Sequence, residues 1–243
     1  VTTARVFSFI RFFPMPASAV TAETSAEHIA RDIASAIVGH RLPPGTRLRE
    51  EALARAYGVS RTKIRAALLM LSKDKLIRTV PDKGAFVSKP SAAEAREIFA
   101  VRRILEAAMA REFVARARPA DYKRLDQHLR QERKAVAAGD AQLRNRLLAD
   151  FHNLLAEIAG NSVLAEVLRE LSARSAVLTV LYQSTADAAC SSEEHHAFLE
   201  AARGGDVEKA CRLMVEHLRH VEEALDFEAD TAADGDLVAA LLT

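Results

Sequence analysis

Three histidines, His152, His195 and His217, form the pattern in this chain with the clearest chemical potential. Each lies on the apolar stripe of a stretch with helical periodicity. His152 shares a face with Leu148, Leu155 and Ala159, His195 with Phe198, Leu199 and Ala202, and His217 with Leu213, Met214 and Val221. Neutral imidazole suits Zn, Ni and related ions, and bundle interiors are common places for such sites. Taken one at a time, each is more simply a core histidine with a hydrogen-bond partner. His196 follows His195 directly but points about 100° away, in line with Glu200 and Arg203 and toward water. Arg102 shares a face with Ile98, Leu105 and Met109, where a charge needs a partner. Its planar fork could hold the carboxylate of a bound ligand; a salt bridge to Glu106, one turn on, would satisfy it equally. Arg103 reads as its solvated neighbour.

The elements that must position these residues are helices. Apolar spacing and breakers predict segments over about 92–117, 119–138, 140–159, 162–183, 192–203 and 206–227, divided by Pro119, Gly139, Gly160–Asn161 and Gly204–Gly205. Ser91 to Glu94 (SAAE) reads as a capping box opening the first. Before it, Ile29, Ile33 and Ile37 mark one helix ending near Gly39, EEALARAY a second ending at Gly58, and RTKIRAALLMLSKDK a third capped by Ser60. LPPGTRL is a turn with a short extended exit, and IRTV-PDKG-AFVS a small hairpin. The fold class is therefore mainly α: a small helix-rich domain with a hairpin over 23–90, then an all-helical bundle over 91–230. Residues 231–243 are a tail or short helix. Residues 1–22 are expected to be a tail outside the fold or a misassigned start, with Met15 as the alternative first residue. Arg11 interrupts their apolar run, which argues against a signal peptide.

The 243 residues leave room for one large domain or two modest ones. Net charge is only +1, but its distribution is uneven. Residues 23–90 hold thirteen Lys and Arg against seven Asp and Glu, residues 91–243 nineteen against twenty-six. A basic first part on an acidic second part suggests a polyanion-binding module joined to something else. EEALARAYGVSRTKIRAALLML supplies the module: a short helix, a Gly turn and a capped helix with basic residues at its start. Such a second helix enters the major groove N-terminus first. Arg61, Thr62, Lys63 and Arg65 occupy that first turn and a half, and Arg61 and Arg65 share a face suited to bidentate guanine contact. Lys83 and Gly84 sit at the hairpin tip, as in a wing reaching a groove.

Residues 26–90 resemble the winged helix-turn-helix of GntR-family bacterial regulators, through the run IARDIASAIVGHRLPPGTRLREEALARAYGVSRTKIRAALLMLSKDKLI and the later PDKGAFV. Lys63 departs from the small residue or Pro usual there, and KDKL replaces the common E-G-L turn. FHNLLAEIAGN, EHHAFLEAARGGD and CRLMVEHL resemble the FCD effector domain of the FadR subfamily, over about 93–227. The resemblance implies a histidine metal site at His152, His195 and His217, and matches Arg102 to an Arg of the first effector-domain helix. Metal-binding members place an Asp one turn before the first histidine; here that residue is Leu148, and Asp150 points to the opposite face. Three neutral ligands would leave a divalent charge uncompensated and coordination positions open, for an anionic effector to fill. Alternatively the histidines bind an acid directly, or simply pack.

The expected function is a metabolite-responsive regulator, a repressor, binding a near-palindromic double-stranded DNA operator as a homodimer. A small carboxylate metabolite, with Zn or Ni as a divalent cofactor, would occupy the bundle. The alternatives are a metal-dependent enzyme with a three-histidine site, for which no HExxH motif is present, and a metal sensor. Cys190 and Cys211 form no disulfide pattern, which fits a reducing cytoplasm, and no apolar run approaches the roughly 20 residues of a membrane span.

Overall fold

The computed structural model describes residues 25–183 and 185–228, together with 237 and 241. The expected tail over 1–22 lies outside the described residues, as does nearly all of 231–243.

The N-terminal head follows its local signals. Ser25 accepts a hydrogen bond from the His28 N–H and opens α1 (Ala26–Val38), whose Ile29, Ile33 and Ile37 are buried. Helix α2 (Glu50–Tyr57) ends at Gly58 with φ 63°, a left-handed conformation that costs glycine little. The turn leads into α3 (Arg61–Lys73), where the Ser60 side chain accepts from the Lys63 N–H. Ile64, Leu68 and Leu71 are buried on its inner side, leaving Arg61, Thr62 and Arg65 on the outer one. The hairpin pairs β2 (Ile77–Val80) with β3 (Gly84–Val87). A two-residue strand, β1 (Arg47–Leu48), adds to the other edge of β3, so the extended exit of LPPGTRL completes a three-stranded antiparallel sheet in the order β1-β3-β2.

Among the described residues six helices follow: α4 (Ala92–Arg116), α5 (Pro119–Ala137), α6 (Ala141–Ala159), α7 (Ser162–Tyr182), α8 (Thr185–Arg203) and α9 (Val207–Glu223). Ser91 caps α4 by accepting from the Glu94 N–H. Helix α8 begins at Thr185 rather than near 192. Thr, Asp, Cys and Ser are mediocre helix formers, and propensity is a weak prior that packing overrides; here α8 packs along α9 and α5.

Two apolar cores result. One lies wholly in the bundle, around Phe113, Phe151, Leu155, Phe198 and Met214. The other joins the head to the bundle, gathering Ile33, Leu53, Ile64 and Leu71 with Phe99 of α4 and Leu178 of α7. Helix α1 also touches α6 and α7 directly. The head is thus packed against the same two helices that border the histidine cluster. Among the described residues, no helix is long and apolar enough to cross a membrane.

Candidate functional site

Helices α6, α8 and α9 bring His152, His195 and His217 together, all buried, with one ligand atom of each within 4.8 Å of the others. The Nε2 of His217 lies 3.3 Å from the Nε2 of His152 and 3.3 Å from that of His195. Phe151 stacks on the His195 ring at a centroid distance of 3.9 Å and fixes its plane. His196 is exposed, one position along α8.

Behind each ring stands a carboxylate. The Nδ1 of His152 faces Glu106 of α4 at 2.5 Å, that of His195 faces both oxygens of Glu132 of α5 at 3.2 Å, and that of His217 faces Glu194 of α8 at 2.7 Å. An ionised carboxylate only accepts, so each Nδ1 carries the proton and each Nε2 presents a lone pair. That tautomer assignment follows from the hydrogen-bond network. Lone pairs 3.3 Å apart form no hydrogen bond; they repel unless a shared cation or proton lies between them. Tetrahedral Zn with Zn–N bonds of about 2.0–2.1 Å sets its nitrogens about 3.3–3.4 Å apart, so the donor set fits such an ion. A carboxylate behind each imidazole is also the usual support of a histidine metal ligand.

The electrostatics agree. Burial opposes ionisation of Glu106, but Arg102 and His152 outweigh it and hold the carboxyl at about 2. Burial likewise opposes Glu132, and His195 and His128 hold it at about 2. Glu194 is held below the ordinary range by hydrogen bonds from His217 and His220, against burial. Burial pushes His152 down to about 3 and His217 down to about 4, so both are neutral at physiological pH. Three carboxylates thus stand around the rings. The guanidinium of Arg102 lies against Glu106, and the imidazole of His128 lies beside Glu132, its pKa raised against burial by that hydrogen bond. Carboxylates placed this way suit a divalent cation. Leu148 leaves no carboxylate ligand one turn before His152; the negative charge near the rings sits one layer out, on Glu106, Glu132 and Glu194. Leu148 itself is half-buried and lines the cavity. Asp150 lines a second cavity between the head and the bundle, with Ala34, Val38 and Asp74.

Arg102 makes the salt bridge to Glu106 that its place on an apolar face called for. Its Nε donates to Glu106 at 2.6 Å and its Nη1 to the Ser175 hydroxyl at 2.8 Å. Its Nη2 is buried with no partner. Arg102 lines the same cavity of about 40 Å³ as the three histidines, together with Ser175, Thr179, Gln183 and Ser191. Arg103 is not a solvated bystander: it is ion-paired with Glu222 of α9 and only 24% exposed.

On the head, Arg61, Thr62, Arg65, Lys83 and Gly84 are exposed and Lys63 is half-buried. Arg47 and Arg78 flank the Phe86 ring at 5.9 and 6.0 Å, which adds two cations on the sheet that motif reading alone does not single out.

The sequence reading also missed Glu132 and Glu194, and took Glu106 only as a salt-bridge partner for Arg102. Glu132 follows Leu125 and Leu129 on one face of α5, so a charge on an apolar stripe was the available signal, as it was for Arg102. Glu194 has no such signal, because it precedes His195 on a half-buried face.

Comparison with known proteins agrees with this architecture. Residues 25–87 match the gntR family of bacterial regulatory proteins, and residues 97–220 match the FCD domain. The HTH-type transcriptional repressor RspR of Escherichia coli K12 is 26% identical over 200 residues, covering 82% of this chain and 88% of that protein. The HTH-type transcriptional regulator LutR of Bacillus subtilis is 26% identical over 206 residues, covering 76% and 93%. Among solved structures, a GntR transcriptional regulator from Rhodococcus sp. RHA1 superposes with a TM-score of 0.63 at 24% identity, covering 82% of this chain and 95% of that one. Escherichia coli McbR/YncC superposes at 0.58 and 22%, covering 80% and 93%. Winged helix-turn-helix, helical bundle and matched relatives together place the chain in the GntR family, as a DNA-binding transcriptional regulator with an FCD domain.

Proposed function

We infer that this regulator is a homodimeric repressor of the cytoplasm, not an enzyme, whose DNA affinity responds to a small carboxylate bound beside a divalent metal. The observation that carries this reading is one cavity lined by three histidines whose Nε2 atoms converge and by Arg102, whose buried Nη2 has no partner. His152, His195 and His217 would hold the ion, Zn or Ni, which supplies a Lewis-acidic centre for an anionic ligand. Arg102 would take the ligand's carboxylate through Nη2 while Glu106 and Ser175 fix its plane. A cavity of about 40 Å³ favours a ligand of few atoms. The carboxylates Glu106, Glu132 and Glu194 stand behind the rings, each engaged at an Nδ1, so none of them faces the centre as a general base. That argues against a hydrolytic enzyme.

In the head, the expected reader is residues 23–90, with Arg61, Thr62, Lys63 and Arg65 in the major groove and Lys83 and Gly84 at the wing tip. The effector bundle spans 91–230. Val101 and Ile104 of α4 and Val163 and Val167 of α7 are exposed apolar residues on two helices that pack together, a surface suited to the second copy. Helices α6 and α7, which carry His152 and Ser175, are the ones α1 touches. A ligand that favours one placement of α6 and α7 would therefore favour one placement of the head.

The test is a DNA-binding titration with the full chain, metal-loaded and chelator-treated, across a panel of small carboxylates. A carboxylate that shifts DNA affinity only in the metal-loaded protein supports the reading. A metal that shifts it alone, with no carboxylate effect, favours a metal sensor.

A further inference from the structure

Arg61 and Arg65 are each exposed by about three-fifths of their side chains, yet both are tied to one carboxylate. Glu50, the first residue of α2, accepts from the Nη2 of Arg61 at 3.1 Å. It also accepts from the Nε of Arg65 at 3.0 and 2.9 Å, through both oxygens. The Glu50 side chain is 28% exposed. The N-terminal end of a helix favours a negative charge there. Hydrogen bonding from Arg65, with Arg61 adding to it, keeps the carboxyl ionised.

We propose that Glu50 is a specificity-determining positioning residue, a single carboxylate that aims both guanidiniums and damps their pull toward phosphate. The proposal rests on Arg61 and Arg65 being the readers of α3. Arginine has many rotamers, and an untethered one can reach any nearby phosphate, a contact that carries no sequence information. The tether to Glu50 uses the Nε of Arg65, so the Nη1–Nη2 edge of the fork is not spent on it. That edge can meet the two acceptors of a guanine. One anion between two cations also lowers the local charge from two to one, which weakens attraction to duplexes of every sequence alike. The arrangement thus acts on the difference between right and wrong DNA, because a specificity is a difference of affinities.

The test uses the full chain, a duplex enriched by it from a random-sequence library, and one unrelated duplex of equal length. Glu50→Gln should tighten binding to the unrelated duplex and steepen its salt dependence by up to about one unit of slope per phosphate gained. The ratio of affinities for the two duplexes should fall about tenfold. Glu50→Asp, which keeps the charge, should restore part of the ratio. An unchanged ratio and salt slope in Glu50→Gln overturns the proposal. So does a parallel loss of both affinities with a lowered Tm, the signature of a residue that only supports α2. Arg65→Ala, run alongside, separates the two layers. If it enriches the same motif as wild type, the assignment of α3 readers fails and the Glu50 proposal falls with it. If it loses the motif while Glu50→Gln keeps ratio and slope, the Glu50 proposal alone fails.

Discussion

Glu132→Gln should weaken divalent metal binding by 10- to 100-fold without touching a ligand atom. The carboxylate is fully buried and faces the Nδ1 of His195 through both oxygens at 3.2 Å, while His128 approaches it at 3.2 Å from the other side. Ionised, it can only accept, so the His195 proton stays on Nδ1 and the lone pair stays on Nε2. A glutamine in its place can turn its NH₂ toward Nδ1. The proton then moves to Nε2 and blocks the centre. The substitution also removes one of the three negative charges around the cluster. Loss of a supporting partner behind a metal-bound histidine typically costs 10- to 100-fold in affinity, or roughly 1.4–2.7 kcal/mol at 1.36 kcal/mol per decade. Competition for Zn against a chromophoric chelator, at fixed pH, reads this directly. The metal-free variant should remain folded, since removing a buried charge relieves desolvation. Affinity within twofold of wild type, in a chain that unfolds cooperatively, would refute the argument that Glu132 fixes the His195 tautomer.

Leu148→Asp should tighten metal binding by adding an oxygen ligand one turn from His152, and should weaken the response to small carboxylates that compete for the same positions; paired calorimetric titrations check both. The same variant should melt lower without metal, because it adds a fourth carboxylate to the three around the rings. Arg65→Ala should cost roughly 1–3 kcal/mol of specific DNA binding with Tm unchanged, while Lys83→Ala should weaken all duplexes alike; binding isotherms at fixed salt decide each. Stability of the metal-free protein should fall as pH drops below 6.5. Unfolded histidines take up protons there, whereas buried His152 and His217, held at about 3 and about 4, do not. Each contributes on the order of 1.4 kcal/mol per pH unit below 6.5, to be read from urea midpoints at pH 7 and 5. A flat midpoint over that range would mean that the two imidazoles are not held neutral.

The features legible in the sequence were those carried by local periodicity. The inward direction of His195 and outward direction of His196 follow from 100° per residue, and the caps at Ser60 and Ser91 sit where their types demand. What escaped depends on contacts between distant residues. Glu106 is 46 positions from His152, Glu132 is 63 from His195, and Glu50 is 15 from Arg65. No spacing rule spans such gaps, because they are set by how helices cross rather than by how one helix turns. The absence of an Asp at 148 is plain in the sequence, but the three carboxylates that supply the site's charge emerge only when α4, α5 and α8 are packed around it. The start of α8 at Thr185 was missed because Thr185, Asp187, Cys190 and Ser191 weaken the helical signal there.

The most direct test of the histidine centre is metal stoichiometry by calorimetry with Zn and Ni on wild type, His195→Ala and His196→Ala, each first freed of metal. One tight equivalent per chain is predicted for wild type and for His196→Ala, whose ring is exposed, and a sharp loss for His195→Ala. Equal uptake by wild type and His195→Ala would contradict the account, and would leave the three imidazoles as packing residues over Phe151.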